Sequence, residues 1–247
     1  MSRAPQAINT PTYLRLRDQI RSDIEDGCWR LGQHLTLHEL SAHYQVSNVP
    51  VREALLQLQG DGMVDMRMNK GAVVRAVDAR FIEEFFDIRE ALQTLLIVRA
   101  CRAAGTGAGV GVGVNATASL IPSRVHALLA AVEAAARDVR VGELLAADEA
   151  LQDELGRLGG NDQAHRLQAS RGRLLEAFRR ARLELWAAEL EVLPVQGRAM
   201  LEAIAHADPA TGIEAVRRHV AASRIYMLRL LKQPEVLPRE AMPKTPR

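Results

Sequence analysis

The chain has 247 residues, 48% of them hydrophobic but only 4% aromatic, with 32 Lys or Arg against 30 Asp or Glu. That length accommodates two domains with cores of their own, and the Ala- and Leu-rich second half favours helices. A net charge of +2 rules out reading a nucleic-acid partner from bulk charge, and residues 1–75, with nine basic against eight acidic residues, balance at +1. Any such partner has to be argued from position.

Residues 1–10 are polar, and a helix is predicted from Pro11, with Tyr13, Leu16, Ile20 and Ile24 on one stripe and Gly27 as its stop. A second helix begins at Thr36, where Thr36 and Glu39 have capping-box spacing, and buries Leu37, Leu40 and Tyr44. Gln45 and Val46 then lead to Ser47, a residue type suited to capping a third helix. Pro50 falls within its first turn, where a missing amide proton costs little. Val51, Ala54, Leu55 and Leu58 form its inward face, while Asn48 and Arg52, four apart, share the outer one. Two short helices joined by a tight turn describe a helix-turn-helix. Met63–Met68 and Ala72–Val77 alternate as strands around Asn69-Lys70-Gly71, adding a wing whose tip carries Lys70.

From Asp78 the pattern is helical throughout. The first helix runs to about Ala104 with Phe81, Phe85, Ile88, Leu92, Leu95, Leu96 and Val98 as its apolar marks. Residues 105–114 are a glycine-rich loop, without the preceding strand or following Lys-Ser/Thr of a phosphate cradle. Further helices are predicted at about 121–138, 142–158, 162–191, 195–206 and 209–232, with Asn161 and Asp208-Pro209 as starts. The expected fold is mainly α: a winged helix-turn-helix over 1–77, an all-α bundle over 78–235 and a tail over 236–247.

Leu35-x-x-x-Glu39-Leu40, Val46-Ser47-x-x-Pro50-Val51-Arg52-Glu53-Ala54-Leu55, Leu58, Gly62 and Gly71 resemble the N-terminal domain of GntR-family bacterial transcription regulators. The resemblance spans about residues 11–77 and implies DNA contacts from His38, Ser47, Asn48, Val49, Arg52, Lys70 and Gly71. The family usually has Arg or Lys where this chain has Asn48, so an altered operator is expected. Asp87–Leu92, Asp148, Gly160-Asn161 and Arg217-Arg218-His219 resemble the FadR branch, with its helical FCD-type effector domain. There an Asp, a His four residues on and two further His bind a divalent metal that in turn holds a small carboxylate. Here Gln152 follows Asp148 and Gln196-Gly197 stands where the next His is expected, leaving Asp148 and His219. Glutamine is a poor ligand beside imidazole, so no metal or other cofactor is expected, and Arg89, Asp148, Gln152 and His219 are the expected effector contacts.

The resemblance implies a dimeric, ligand-responsive regulator, acting as a repressor on a palindromic double-stranded DNA operator, with an organic acid as effector. The alternatives are an architectural DNA binder without effector, and an enzyme with a winged-helix docking module. No Ser-His-Asp, Cys-His or His-Glu-x-x-His arrangement supports the enzyme. Cys28 and Cys101 match no metal spacing, no signal peptide is read, and no apolar run nears the roughly 20 residues that span a bilayer. A cytoplasmic location without membrane contact is the expectation.

Overall fold

A computed structural model of the chain describes residues 11–68, 70–106, 121–180 and 192–233. The predicted tail, most of the glycine-rich stretch, Asn69 and the end of the predicted 162–191 helix lie outside them. The described residues divide between two compact units, broadly 11–77 and 78–233.

In the first unit, α1 (Thr12–Glu25) buries Leu16, Ile20 and Ile24 at successive turns of one face. The strand β1 (His34–Leu35) precedes α2 (Leu37–Tyr44). The capping box forms: Glu39 N–H donates to Thr36 Oγ1 at 3.1 Å, and Glu39 Oε2 accepts the Thr36 amide at 3.5 Å. Gln45 ends α2 in the left-handed region, φ 55°, and turns the chain into α3 (Asn48–Gly60). Val51, Ala54, Leu55 and Leu58 are buried against α1 and α2, as their spacing predicts.

β2 (Val64–Arg67) and β3 (Gly71–Val74) form the wing, with Arg67 opposite Gly71 and Val64 opposite Val74. Both strands are shorter than the alternating pattern suggests. β1 escaped the sequence reading because two residues carry no periodicity; it pairs with β3, so the strand order is β1-β3-β2. A Cβ on Gly71 would lie 2.1 Å from the Leu35 carbonyl oxygen, and its φ is +91°. Only glycine lets β1 and β3 meet there.

The second unit opens with α4 (Ala79–Gly105), capped by Asp78, whose Oδ1 accepts the Phe81 amide at 2.7 Å. α5 (Ser123–Arg137), α6 (Val141–Leu158) and α7 (Asp162–Arg171) follow. The predicted 162–191 helix is interrupted at Gly172, and the next helix, α8 (Arg173–Arg180), groups with the first unit instead. A glycine following Ser170 and Arg171 is a weak point in a helix. α9 (Val192–Ala205) and α10 (Pro209–Leu230) complete the bundle, α10 starting at Asp208, which accepts the Ala210 and Thr211 amides.

α4 is the centre of this unit, packing on α6, α7, α9 and α10. Its buried face is Ile82, Phe86, Gln93, Leu96, Ile97, Ala100 and Cys101. Most of the predicted apolar marks lie one residue out of phase: Ile88 and Leu95 are 42% and 43% exposed. The helix is apolar on two adjoining faces, and periodicity alone does not choose between them. Gly159 ends α6 so close to α4 that a Cβ would meet the Leu96 carbonyl at 2.6 Å, and Arg99 Nε donates to the Gly159 carbonyl at 2.7 Å. None of the described helices is long and apolar enough to cross a membrane.

Candidate nucleic-acid interface and the polar cluster of the helical unit

The outer face of α3 carries Asn48, Val49, Arg52 and Leu56, all exposed. Ser47 occupies the N-cap position with extended backbone, φ −73° and ψ 166°, but its side chain makes no capping hydrogen bond. The expected capping is therefore absent, and the exposed hydroxyl remains available at the end of the helix where unsatisfied amides favour an anion.

Lys70 is exposed at the wing turn, its backbone amide donating to the Arg67 carbonyl at 3.1 Å. Gly71 differs from the other wing residues. It is buried, and its geometry gives it a steric task in the sheet. His38 is exposed on α2, one helix away from the Arg52 face.

In the second unit, Asp148 and Gln152 are buried on one face of α6, and His219 is 1% exposed on α10. Burial first, and the nearby positive charge of half-buried Arg89 second, push the His219 imidazole down to about pKa 3. It is neutral at physiological pH. Neither of its ring nitrogens has a hydrogen-bond partner among the described residues. The structure thus brings Arg89 to His219, and it places Gln152 against a residue the sequence reading missed. Gln93 Nε2 donates to Gln152 Oε1 across 3.4 Å, a long and weak bond, leaving Gln93 Oε1 and Gln152 Nε2 unmet.

Gln93 and Gln152 line a cavity with Gln168, Leu96, Ile97, Leu155, Gly156, Met200 and Val216, of about 10 Å³. That is room for about one water molecule. The signal for Gln93 was its place four residues after Arg89, on a stripe whose phase was misjudged. Gln196 is only half-buried on α9.

The donor chemistry does not suit a divalent metal. Two of the four positions that the resemblance assigns to ligands hold neutral amides, Gln152 and Gln196. No group of three or more His, Cys, Asp or Glu able to hold a metal occurs among the described residues.

This geometry defines a winged helix-turn-helix followed by a helical unit. Residues 12–74 match the family model "Bacterial regulatory proteins, gntR family". The chain is 28% identical over 88 residues to the uncharacterized HTH-type transcriptional regulator YdhC of Bacillus subtilis, covering 36% of this chain and 39% of that protein. It is 32% identical over 76 residues to the Nta operon transcriptional regulator of Aminobacter aminovorans, 31% of this chain and 36% of the relative. It is also 32% identical over 92 residues to the gluconate operon transcriptional repressor of Bacillus licheniformis, 37% of each chain. The matched region thus spans under two-fifths of these relatives.

The fold extends further. A GntR protein from Rhodococcus sp. RHA1 superposes with a TM-score of 0.62 at 21% identity, covering 88% of this chain and 97% of its own. E. coli McbR/YncC gives 0.62 at 15% identity, covering 91% and 100%. The three sequence relatives are named as transcriptional regulators or repressors.

Proposed function

We propose that the protein is a sequence-specific DNA-binding transcription regulator in which α3 enters the major groove. The observation that carries this reading is the exposed Asn48-Val49-Arg52 face of α3 within a domain matching the gntR profile. In this reading Arg52 reads base edges, Ser47 and Lys70 contact phosphate, His38 makes an auxiliary contact from α2, and Gly71 holds the wing in place. The protein acts as a dimer, since one small domain reads few base pairs and two recognition helices on a two-fold axis read a palindrome. Selection of operators from random duplexes by the full-length protein tests this. Recovery of a palindromic consensus is expected; recovery of no sequence preference would refute it.

The helical unit is assigned to the FadR branch with an FCD-type effector domain, and the regulator is a repressor released by its effector. Arg89, Asp148, Gln152 and His219 surround the effector without a tightly held metal. Metal analysis of the purified protein is expected to find less than one equivalent of Zn²⁺, Ni²⁺ or Mn²⁺; a full equivalent would sink the metal-free version. A second reading, an architectural binder with no effector, draws support from the water-sized cavity. Thermal melting across a panel of small organic acids separates the two: a shift with any of them, together with a change in operator affinity, supports the effector.

A further inference from the structure

We infer that Val49 and Asn48 set the base preference of α3, Val49 by packing on a thymine 5-methyl group and Asn48 by bonding an adenine edge. The inference rests on the proposed docking of α3 and names what that face would read.

Val49 is 67% exposed in the first turn of α3, and Leu56, two turns on along the same outer face, is 49% exposed. A lone exposed valine needs no explanation. Here two exposed apolar side chains flank Arg52 on the surface that bears the proposed base contacts. At about 100° per residue, Arg52 projects between Asn48 and Val49, so the three side chains are offered to neighbouring base pairs.

The major-groove floor presents a single apolar group, the thymine 5-methyl, and apolar side chains are its usual partners. Asparagine is suited to adenine, accepting from N6 and donating to N7. Two features hold Val49 ready. A β-branched side chain is stiff at χ1, and Pro50 beside it restrains the backbone of the first turn. Each half-site then contains an A·T pair on either side of the pair read by Arg52.

The test uses an operator selected by the full-length protein. Thymines in each half-site are replaced one at a time by deoxyuridine, which lacks the methyl and keeps every hydrogen-bonding group. One position per half-site is expected to lower wild-type affinity about fourfold, the value of one methyl-sized group. Val49→Ala is expected to bind the thymine and uracil duplexes equally at that position. In parallel, selection with Asn48→Arg is expected to lose the adenine preference at one flanking position. Insensitivity to uracil at every position, or a sensitivity that persists in Val49→Ala, overturns the methyl contact; an unchanged consensus with Asn48→Arg overturns the adenine contact. Both leave the docking of α3 standing if Arg52→Ala still weakens the operator. If Arg52→Ala binds as tightly as wild type, the docking itself is wrong.

Discussion

Trp29 Nε1 donates a 2.8 Å hydrogen bond to the Tyr44 hydroxyl, which in turn donates to the Asp23 carboxylate. This chain of bonds links the last turn of α1 to the end of α2, with His43 packed edge-on against both rings. Burial of Tyr44, and its bond to Asp23, raise the phenol well above its ordinary range, so it stays protonated at any physiological pH. Tyr44→Phe leaves a buried indole N–H without its acceptor and a carboxylate without its donor. The domain is expected to lose about 1–3 kcal/mol, measured by denaturant unfolding followed through tryptophan fluorescence.

Gly71→Ala should be the most damaging single change in the wing. The added methyl would meet the Leu35 carbonyl at 2.1 Å, and the backbone there has φ +91°. A loss of about 3 kcal/mol is expected from thermal melting. Weakened DNA binding would accompany it through lost folding, so salt dependence measured on the folded fraction should be unchanged.

The two helix starts predict opposite behaviour. Thr36 is engaged in a complete capping box, whereas Ser47 caps nothing. Thr36→Ala is expected to cost about 1 kcal/mol of stability. Ser47→Ala is expected to leave the melting temperature nearly unchanged and to lower operator affinity instead. Equal stability losses in the two variants would contradict the geometry.

Arg52 and Lys70 are both exposed cations in the first unit, yet they are expected to differ in what they read. Arg52→Ala should cost about 1–3 kcal/mol on the selected operator and little on unrelated duplex. Lys70→Ala should weaken all sequences alike and reduce the slope of log affinity against log salt by about one. Competition binding across a salt series measures both.

His219 makes the stability of the helical unit pH-dependent. Its folded-state value of about 3 lies below the ordinary 6.5. The unfolded state therefore binds the proton more readily, and stability is fully present above pH 6.5. It declines as pH falls from there toward 3, by up to about 1.4 kcal/mol per pH unit from this one group. His219→Gln should flatten that part of the acid profile. An unaltered profile between pH 6 and 4 would show that His219 titrates normally.

The first unit was largely legible in the sequence because its signals are local. One capping box, a proline in a first turn and four buried residues at helical spacing each lie within a few turns of chain. What escaped there were features made across elements: β1 has too few residues to show a period, and Gly71 is needed for its closeness to Leu35, 36 residues earlier.

The helical unit was legible only in outline. That it is helical follows from composition and periodicity, and Asp148, Gln152 and His219 do point inward. The register of α4 did not follow, since Phe81, Phe85, Ile88, Leu92 and Leu95 form as regular a stripe as the residues that are buried. Packing against α6 and α10 chose the other face, and that choice put Gln93 beside Gln152.

Sequence alone thus determined that α3 forms and which face it buries, because an amphipathic helix with a proline in its first turn, following a tight turn, is a short-range pattern. Tertiary structure decided that Gly71 is steric and that Gln93 meets Gln152 beside a water-sized cavity. Those outcomes depend on how closely separate segments approach one another, a distance that no spacing along one segment contains.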